Sequence, residues 1–256
     1  MAQNPRNRSK APRRQGTQNN ADNIAWIWGS HAALAALNNP DRKILGLYLT
    51  RNAATEGFSA FADRAEIVDP KALNAMLPDG AVHQGVALKT KQPDGVSLED
   101  LISPAQGLIV MLDGVTDPRN AGAIYRSAAA FGARGIIMQD RKAPPLSGGL
   151  AKTAVGAAET VPTARVVNLS RALNELTKRG WRAVGLAGEA EIALSEAVSG
   201  EDAVVLVMGA EEKGLRPSVA EACDSLARIP ISDKVESLNV SVAAAVALYE
   251  WARGRA

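Results

Sequence analysis

Cysteine and histidine are both scarce in this chain. Its 256 residues include a single cysteine, Cys223, and two histidines, His31 and His83. One thiol cannot form an intramolecular disulfide, which is typical of a reducing compartment, so we expect a cytoplasmic protein. With so few thiolate or imidazole ligands, the sequence argues against a zinc site and a Cys–His nucleophile, and we expect no metal ion.

Long apolar runs and the common nucleotide-binding motifs are also missing. No stretch approaches the roughly eighteen uninterrupted apolar residues of a membrane-spanning helix, and we expect no membrane segment. Neither G-x-G-x-x-G after a predicted strand nor G-x-x-x-x-G-K-[ST] occurs, although residues 147–153 resemble the latter with the wrong spacing. These absences argue against nucleoside-triphosphate chemistry and against a standard dinucleotide-binding fold.

Acidic residues are absent from the first 21 positions, which contain five basic side chains: Arg6, Arg8, Lys10, Arg13 and Arg14. Because the whole chain has a net charge of +2, the remainder carries −3, so a body without basic excess bears a basic arm. Two interpretations of residues 1–22 stay open. They form a disordered, solvated tail, or they form an electrostatic tether whose arginines bind phosphates without reading sequence.

After this tail, short apolar runs rich in Val and Ile alternate with longer stretches of helical spacing. In residues 23–95 the pattern predicts strands at 25–28, 43–50, 65–68 and 86–91, and helices at 32–37 and 70–76. Polar residues around Pro93 and Gly95 then indicate a turn. We place a linker at 96–104, between this small unit and a second unit at 105–256.

The second unit alternates strands with helices. The predicted strands are 108–112, 135–138, 164–167, 181–186, 203–208 and 226–231, and the predicted helices are 120–131, 151–158, 169–179, 217–222 and 239–251. Because the strands are continuously apolar, the predicted fold class is α/β, with a parallel sheet covered on both faces. The last helix has little polar surface, so it packs against its own sheet or against a partner subunit.

Three segments that follow predicted strands carry polar side chains suited to a ligand site. Ligands of open parallel sheets bind beyond the carboxyl ends of the strands, where these segments lie. The first segment, D-G-V-T-D-P-R-N-A-G-A-I-Y-R, starts at Asp113 and contains Asn120 and Arg126. From spacing alone, these two residues also fit a helix N-cap and a surface cation.

The second segment is V-M-G-A-E-E-K-G-L at 207–215. Gly209 in it lets the backbone approach a ligand closely, whereas Glu211 belongs to an acid pair that also fits a solvated turn. The third segment is I-P-I-S-D-K-V-E-S-L-N-V-S at 229–241. Ser237 in it is a candidate N-cap of the last helix, whose free N–H groups would face a ligand.

Together these segments resemble the SpoU/TrmH family of S-adenosylmethionine-dependent RNA 2′-O-methyltransferases. The resemblance rests on N-x-x-x-x-x-R in a D-P-x-N-x-G context, on G-x-E-x-x-G and on I-P…S-L-N-V-S, in this order. The small unit, with G-S-H-A at 29–32 and V-H-Q-G-V at 82–86, resembles the accessory domain of the 23S rRNA guanosine 2′-O-methyltransferase branch. Asp233 and Ala154 depart from the usual glycine and serine, which bears on substrate choice rather than on activity.

The resemblance implies a small α/β RNA substrate-binding domain of ribosomal-protein-like type at 23–95. At 105–256 it implies a SPOUT-type catalytic domain, a parallel sheet with a C-terminal trefoil knot. It also implies S-adenosyl-L-methionine as cofactor, RNA as substrate and a homodimer formed through the knot region. The implied cofactor-binding residues are Gly209, Ile229 and Leu238, and the implied catalytic and RNA-binding residues are Asn120, Arg126, Glu211, Ser237 and Asn239.

The function implied is methylation of a ribose 2′-hydroxyl, that of a guanosine in 23S rRNA. A tRNA ribose 2′-O-methyltransferase and a non-catalytic RNA-binding ribosome assembly factor are the alternatives, and the intact site residues argue against the second. Arg126 occupies the position proposed as the base in such enzymes, but a guanidinium normally stays protonated. We therefore prefer Arg126 as a clamp on the neighbouring phosphate and as the electrostatic partner of the developing alkoxide.

Deletion of residues 1–21 tests the tether interpretation of the tail. Losing five cations should weaken RNA binding and lower the slope of log affinity against log salt concentration by up to about 4, because phosphate contacts release counterions. Fluorescence anisotropy with a labelled rRNA fragment over a salt series measures that slope. An unchanged slope would identify the tail as a solvated terminus only.

Overall fold

The computed structural model describes residues 24–255 of the chain. These residues form a four-stranded sheet in the first unit and a seven-stranded sheet in the second. The predicted basic tail, residues 1–22, lies outside the described residues, so both of its interpretations stay predictions. Between residues 24 and 255 no helix has the length and apolar character needed to cross a membrane.

The first unit packs helices against a mainly antiparallel sheet. Its elements are β1 (Ile24–Trp28), α1 (Ser30–Asn38), β2 (Ile44–Leu49), α2 (Arg51–Glu56), a 3-10 helix (Ser59–Arg64), β3 (Glu66–Ile67), α3 (Pro70–Met76) and β4 (Val86–Lys91). The strand order is β1-β4-β2-β3, with a parallel pair only at β2–β3. Ile27, Leu49 and Leu88 form the centre of its core beneath the alanines of α1.

The second unit is built on a seven-stranded sheet in the order β7-β6-β5-β10-β8-β11-β9, in which every neighbouring pair is parallel. The strands are β5 (Gly107–Leu112), β6 (Gly135–Gln139), β7 (Thr163–Val166), β8 (Arg182–Leu186), β9 (Ile192–Ala193), β10 (Ala203–Met208) and β11 (Ser225–Arg228). The helices are α4 (Leu98–Ile102), α5 (Pro118–Ala130), α6 (Gly148–Ala154), α7 (Ala157–Thr160), α8 (Leu169–Lys178), α9 (Leu194–Ala197), α10 (Pro217–Ala220) and α11 (Val240–Arg253).

Two apolar cores cover the two faces of this sheet. Along the central strand β10, Val204, Leu206 and Met208 pack with α5, α6 and α11 on one face. Ala203, Val205 and Val207 alternate with them and pack against α4 and α8 on the other. Since successive side chains of a strand point to opposite faces, a strand that is buried throughout requires both layers. The predicted α/β class with a doubly covered parallel sheet is confirmed.

One predicted helix is divided in two. The pattern at 151–158 predicts a continuous helix, but Val155 and Gly156 have φ angles of 53° and 95° and separate α6 from α7. Left-handed backbone ends a helix, and a β-branched residue such as Val155 rarely adopts it. The segment predicted as a linker, 96–104, contains α4, whose Leu101 and Ile102 are buried in the core.

The N-caps considered at the sequence level are wrong for both site helices. Asp117, not Asn120, caps α5, because its carboxylate accepts a hydrogen bond from the Arg119 N–H at 2.7 Å. Asn239, not Ser237, caps α11. A capping side chain is engaged in hydrogen bonds to the backbone of its helix. Because Asn120 and Ser237 do not cap these helices, their side chains can make other contacts.

Candidate active site

A cavity of about 610 Å³ lies at the carboxyl ends of β8, β10 and β11. Three connections surround it: residues 186–188 after β8, 208–211 after β10 and 227–238 after β11, with the first turn of α11 closing one side. This is the edge of a parallel sheet at which ligands bind. Five of the predicted site residues line the cavity, and they are Gly209, Glu211, Ile229, Ser237 and Leu238.

The loop after β10 closes on itself immediately beyond Gly209. Ala210 and Gly214 exchange two backbone hydrogen bonds, of 3.0 Å and 2.8 Å. A Cβ atom at position 209 would overlap the Gly214 carbonyl and would lie 2.5 Å from the Leu215 nitrogen. Backbone atoms cannot yield as a flexible side chain does, so only glycine fits here. The glycine that the sequence motif places beside a ligand is therefore also required by the fold of the loop.

An ion pair fixes the far end of this loop. Asp113 follows β5, and its fully buried carboxylate accepts hydrogen bonds from the Arg216 backbone N–H at 2.9 Å and from Arg216 Nε at 2.6 Å. A buried carboxylate needs such partners, because leaving it unpaired away from water is costly. Sequence reasoning did not single out Asp113. The sequence feature that could have identified Asp113 is its position directly after an apolar strand and before a glycine. In the structure this glycine, Gly114, has a positive φ.

Three of the predicted catalytic residues meet through one amide. Asn239 Nδ2 donates hydrogen bonds to Asn120 Oδ1 at 3.2 Å and to Glu211 Oε1. The orientation of this amide is determined, because Asn239 Oδ1 accepts from the backbone N–H groups of Ser241 at 2.9 Å and Val242 at 3.4 Å. The nitrogen must therefore face Asn120 and Glu211. Connections after β5, β10 and β11 are joined at this point.

A second cavity, of about 330 Å³, adjoins the first. It is lined by residues 114–117 before α5, by Asn120, and by residues 210–213 of the loop after β10. Ala210, Glu211 and Val240 line both cavities. Within the hydrogen-bonded cluster, Glu211 therefore borders both cavities and Asn120 borders the second, while Asn239 joins the two side chains.

Arg126 does not join this cluster. It lies six residues after Asn120 on α5, and at 3.6 residues per turn the two side chains point about 120° apart. Arg126 is exposed, and within residues 24–255 it makes no hydrogen bond or ion pair. Ser237 is exposed on the rim of the first cavity. Both side chains are thus available to a bound molecule rather than committed to the fold.

The site offers amides, one shared carboxylate, a free guanidinium and backbone groups. The part of the chain that the structure describes contains no cluster of His, Cys, Asp and Glu able to hold a metal ion. Cys223 packs behind β8, where burial, with Asp224 and Asp113 nearby, raises the pKa of its thiol to about 12. A thiol of that pKa is not a nucleophile at neutral pH. The geometry suits a reaction that depends on positioning two bound partners.

Comparison with known proteins identifies both units. The SpoU rRNA Methylase family matches residues 107–249, and the family described as RNA 2′-O ribose methyltransferase substrate binding matches residues 26–95. The chain is 40% identical over 242 residues to the 23S rRNA (guanosine-2′-O-)-methyltransferase RlmB of Xylella fastidiosa, with 90% of this chain and 96% of that relative covered.

Two solved structures share the fold. One is an AdoMet-bound rRNA methyltransferase from Sinorhizobium meliloti, with a TM-score of 0.77, 26% identity and coverage of 91% of this chain and 88% of that one. The other is the SpoU methyltransferase AviRb from Streptomyces viridochromogenes in complex with AdoMet, with a TM-score of 0.79, 22% identity and 91% coverage of each chain. The resemblance found in the three sequence segments is confirmed, and the chain belongs to the SpoU rRNA methylase family.

Proposed function

We propose that this protein transfers a methyl group from S-adenosylmethionine to the ribose 2′-hydroxyl of a guanosine in 23S rRNA. The observation that carries the proposal is the pair of adjoining cavities that share Glu211, which is joined through the Asn239 amide to Asn120 in the lining of the second. Methyl transfer from a sulfonium to an oxygen requires two partners held in line. Such alignment supplies a large part of the rate, roughly 7–11 kcal/mol in favourable cases.

The larger cavity fits the cofactor. Gly209, Ile229 and Leu238 would hold it, because the glycine brings bare backbone to the cavity wall while the other two supply apolar and backbone contacts. When bound, S-adenosylmethionine supplies the electrophilic methyl group of its sulfonium. The surrounding loops belong to the carboxyl edge of the sheet, where their free N–H and C=O groups face a ligand.

The smaller cavity fits the target nucleotide. Asn120 and Glu211 line it, and we assign them to the orientation of the ribose, with Asn239 holding both and Ser237 reaching from the rim. As the new C–O bond forms and the S–C bond breaks, the hydroxyl proton leaves to a phosphate oxygen or to water. No side chain of the Asn120, Glu211 and Asn239 cluster has to act as the base in this assignment.

Arg126 is assigned to the RNA rather than to the cofactor. Its guanidinium is exposed and carries a permanent charge, which suits a clamp on the phosphate beside the target ribose. A positive charge there also stabilises the oxygen as it loses its proton. Because Arg126 lies on a different side of α5 from Asn120, RNA or a second subunit has to complete the site.

A homodimer through α11 provides that second subunit. Val242, Val246 and Tyr249 recur along one face of α11 and are 48%, 38% and 55% exposed, and the Tyr249 ring also contacts Phe131 at 5.9 Å between ring centres. An apolar stripe of this kind is typical of an interface. The interface would begin one turn from Asn239, which places a partner beside the cavity. The trefoil knot and the cytoplasmic location remain predictions of the family resemblance.

Transfer of a radiolabelled methyl group tests the function. Incubation of the full chain with labelled S-adenosylmethionine should label total rRNA lacking this modification and leave total tRNA unlabelled, because the small unit is expected to select ribosomal RNA. Mapping of the product should locate the label on a ribose of 23S rRNA. Labelled tRNA would support the tRNA enzyme, and labelling of neither RNA would leave the assembly factor.

Replacement of Gly209 by alanine tests the cofactor assignment. The new Cβ would collide with the Gly214 and Leu215 backbone, so the loop must shift and the cavity wall with it. We expect calorimetry to show a loss of S-adenosylmethionine affinity of at least about tenfold, equivalent to about 1.4 kcal/mol. Gly57→Ala is the control, since a Cβ at that position meets nothing within 4 Å. Unchanged affinity would place the cofactor elsewhere.

Replacement of Arg126 by alanine tests its role on RNA. Methyl transfer should be abolished, since the phosphate clamp and its charge are lost, while cofactor affinity should stay within a few fold. Single-turnover methylation and calorimetry on one preparation measure the two quantities separately. Arg119→Ala, which removes an exposed arginine about two turns earlier on α5, is a matched control for charge. A large loss of cofactor affinity would mean that Arg126 acts on the cofactor instead.

A further inference from the structure

The two units share an unusually polar and deeply buried junction. Arg42, which precedes β2 in the first unit, forms an ion pair with Glu159 of α7 in the second, and the two side chains are only 1% and 4% exposed. Arg42 Nε donates to Glu159 Oε2 at 3.0 Å and Nη2 donates to Oε1 at 2.5 Å. Residues 117 positions apart in sequence are thereby joined without access to water.

The acceptors around Arg42 leave its orientation no freedom. Arg42 Nη1 donates to the Lys91 carbonyl at 3.1 Å in the first unit, and Nη2 donates to the Leu146 carbonyl at 3.1 Å in the second. Asn39 Nδ2 adds a hydrogen bond of 2.9 Å to Glu159 Oε2. A planar guanidinium with acceptors on several sides fits one arrangement only. A small rotation of one unit against the other would leave buried charges unpaired, which is costly.

Apolar packing at the junction is close as well. Ala151 of α6 is buried in the core of the first unit. A Cβ at Gly148 would lie 3.1 Å from the Trp28 ring, and a Cβ at Gly156 would lie 3.0 Å from the Ala35 methyl group. Such contacts exclude water but have little direction of their own, because apolar burial depends mainly on area. The direction comes from hydrogen bonds: those of the buried ion pair, and those of Gln92, which donates to Ser147 Oγ at 3.1 Å and accepts from the Leu146 N–H at 3.1 Å.

The junction connects directly to the proposed site. A Cβ at Gly122 of α5 would lie 2.6 Å from the Leu150 carbonyl oxygen of α6, so the two helices are in backbone contact. The first turn of α5 carries Asn120. A series of close contacts therefore runs from the first unit through α6 and α5 to the proposed methyl-transfer site.

We propose that Arg42 and Glu159 are positioning residues that fix the RNA-selecting unit in one orientation relative to the methyl-transfer site. The distance between the RNA feature recognised by the first unit and the ribose that is methylated is then a constant of the fold. That fixed distance determines which nucleotide is methylated. If the two units were joined flexibly, several nucleotides at different distances could reach the site. The inference rests on the proposed function, which assigns RNA selection to the first unit.

Two variants of the full chain separate positioning from chemistry. Glu159→Gln keeps the shape and removes one charge, and Arg42→Met/Glu159→Met removes both charges, so that no buried charge is left alone if the single variant fails to fold. Glu175→Gln, the same change in an exposed ion pair of α8, is the control. We expect Glu159→Gln and the double variant to lower kcat/KM for 23S rRNA by up to about a hundredfold and to methylate neighbouring nucleotides. Their affinity for the cofactor should stay within about twofold of that of the unaltered chain.

A distance measurement tests the orientation independently of activity. Spin labels on cysteines replacing Asn52 and Asn174, both exposed and in different units, report the separation of the units in a Cys223→Ser background. We expect a single narrow distribution of distances between the two labels in the otherwise unchanged chain, and a broad distribution in the double variant. A double variant that keeps the narrow distribution and normal kcat/KM would overturn the proposal. If the unaltered chain fails to methylate rRNA while the distances behave as expected, the proposed function fails and the positioning role stands.

Discussion

The sheet of the second unit must be covered on both faces, because every residue of its central strand β10 is buried. Helices on both faces require each crossover to leave from the carboxyl edge, so the connections after β5, β8, β10 and β11 converge there. Convergence alone does not make a site, since connections at an edge are free to move. Three features hold these connections in place: the close backbone approach at Gly209, the Asp113–Arg216 ion pair and the hydrogen bonds of the Asn239 amide.

The sequence was sufficient for the order of the longer elements and for the class of the fold. Continuous apolar strands and helical spacing are strong local signals, and the strands of both units lie within a few residues of their predicted bounds. The short elements α2, α9 and β9 escaped prediction because two to six residues show no clear period. The break at Val155 escaped because a β-branched residue rarely adopts the left-handed backbone that ends α6 there.

Prediction of the site depended on the order of three motifs more than on spacing. By spacing alone, Asn120 and Ser237 fitted helix caps, and the structure assigns those caps to Asp117 and Asn239. Asp113 and the junction pair Arg42–Glu159 are long-range contacts, so a single sequence could not reveal their partners. From the sequence alone, charged residues such as these are expected on the solvent-exposed surface, because charged side chains are rarely buried unless they are paired.

Asn239 performs two tasks with one short side chain, its oxygen capping α11 and its nitrogen reaching Asn120 and Glu211. Very few residue types satisfy both demands. Aspartate would cap the helix equally well but would place a second carboxylate against Glu211. Serine would also cap the helix, yet its hydroxyl is too short to span both neighbours. Glutamine is longer and is a poor cap. Few single substitutions at position 239 are therefore tolerated, because each loses either the cap of the last helix or the hydrogen bonds across the proposed active site.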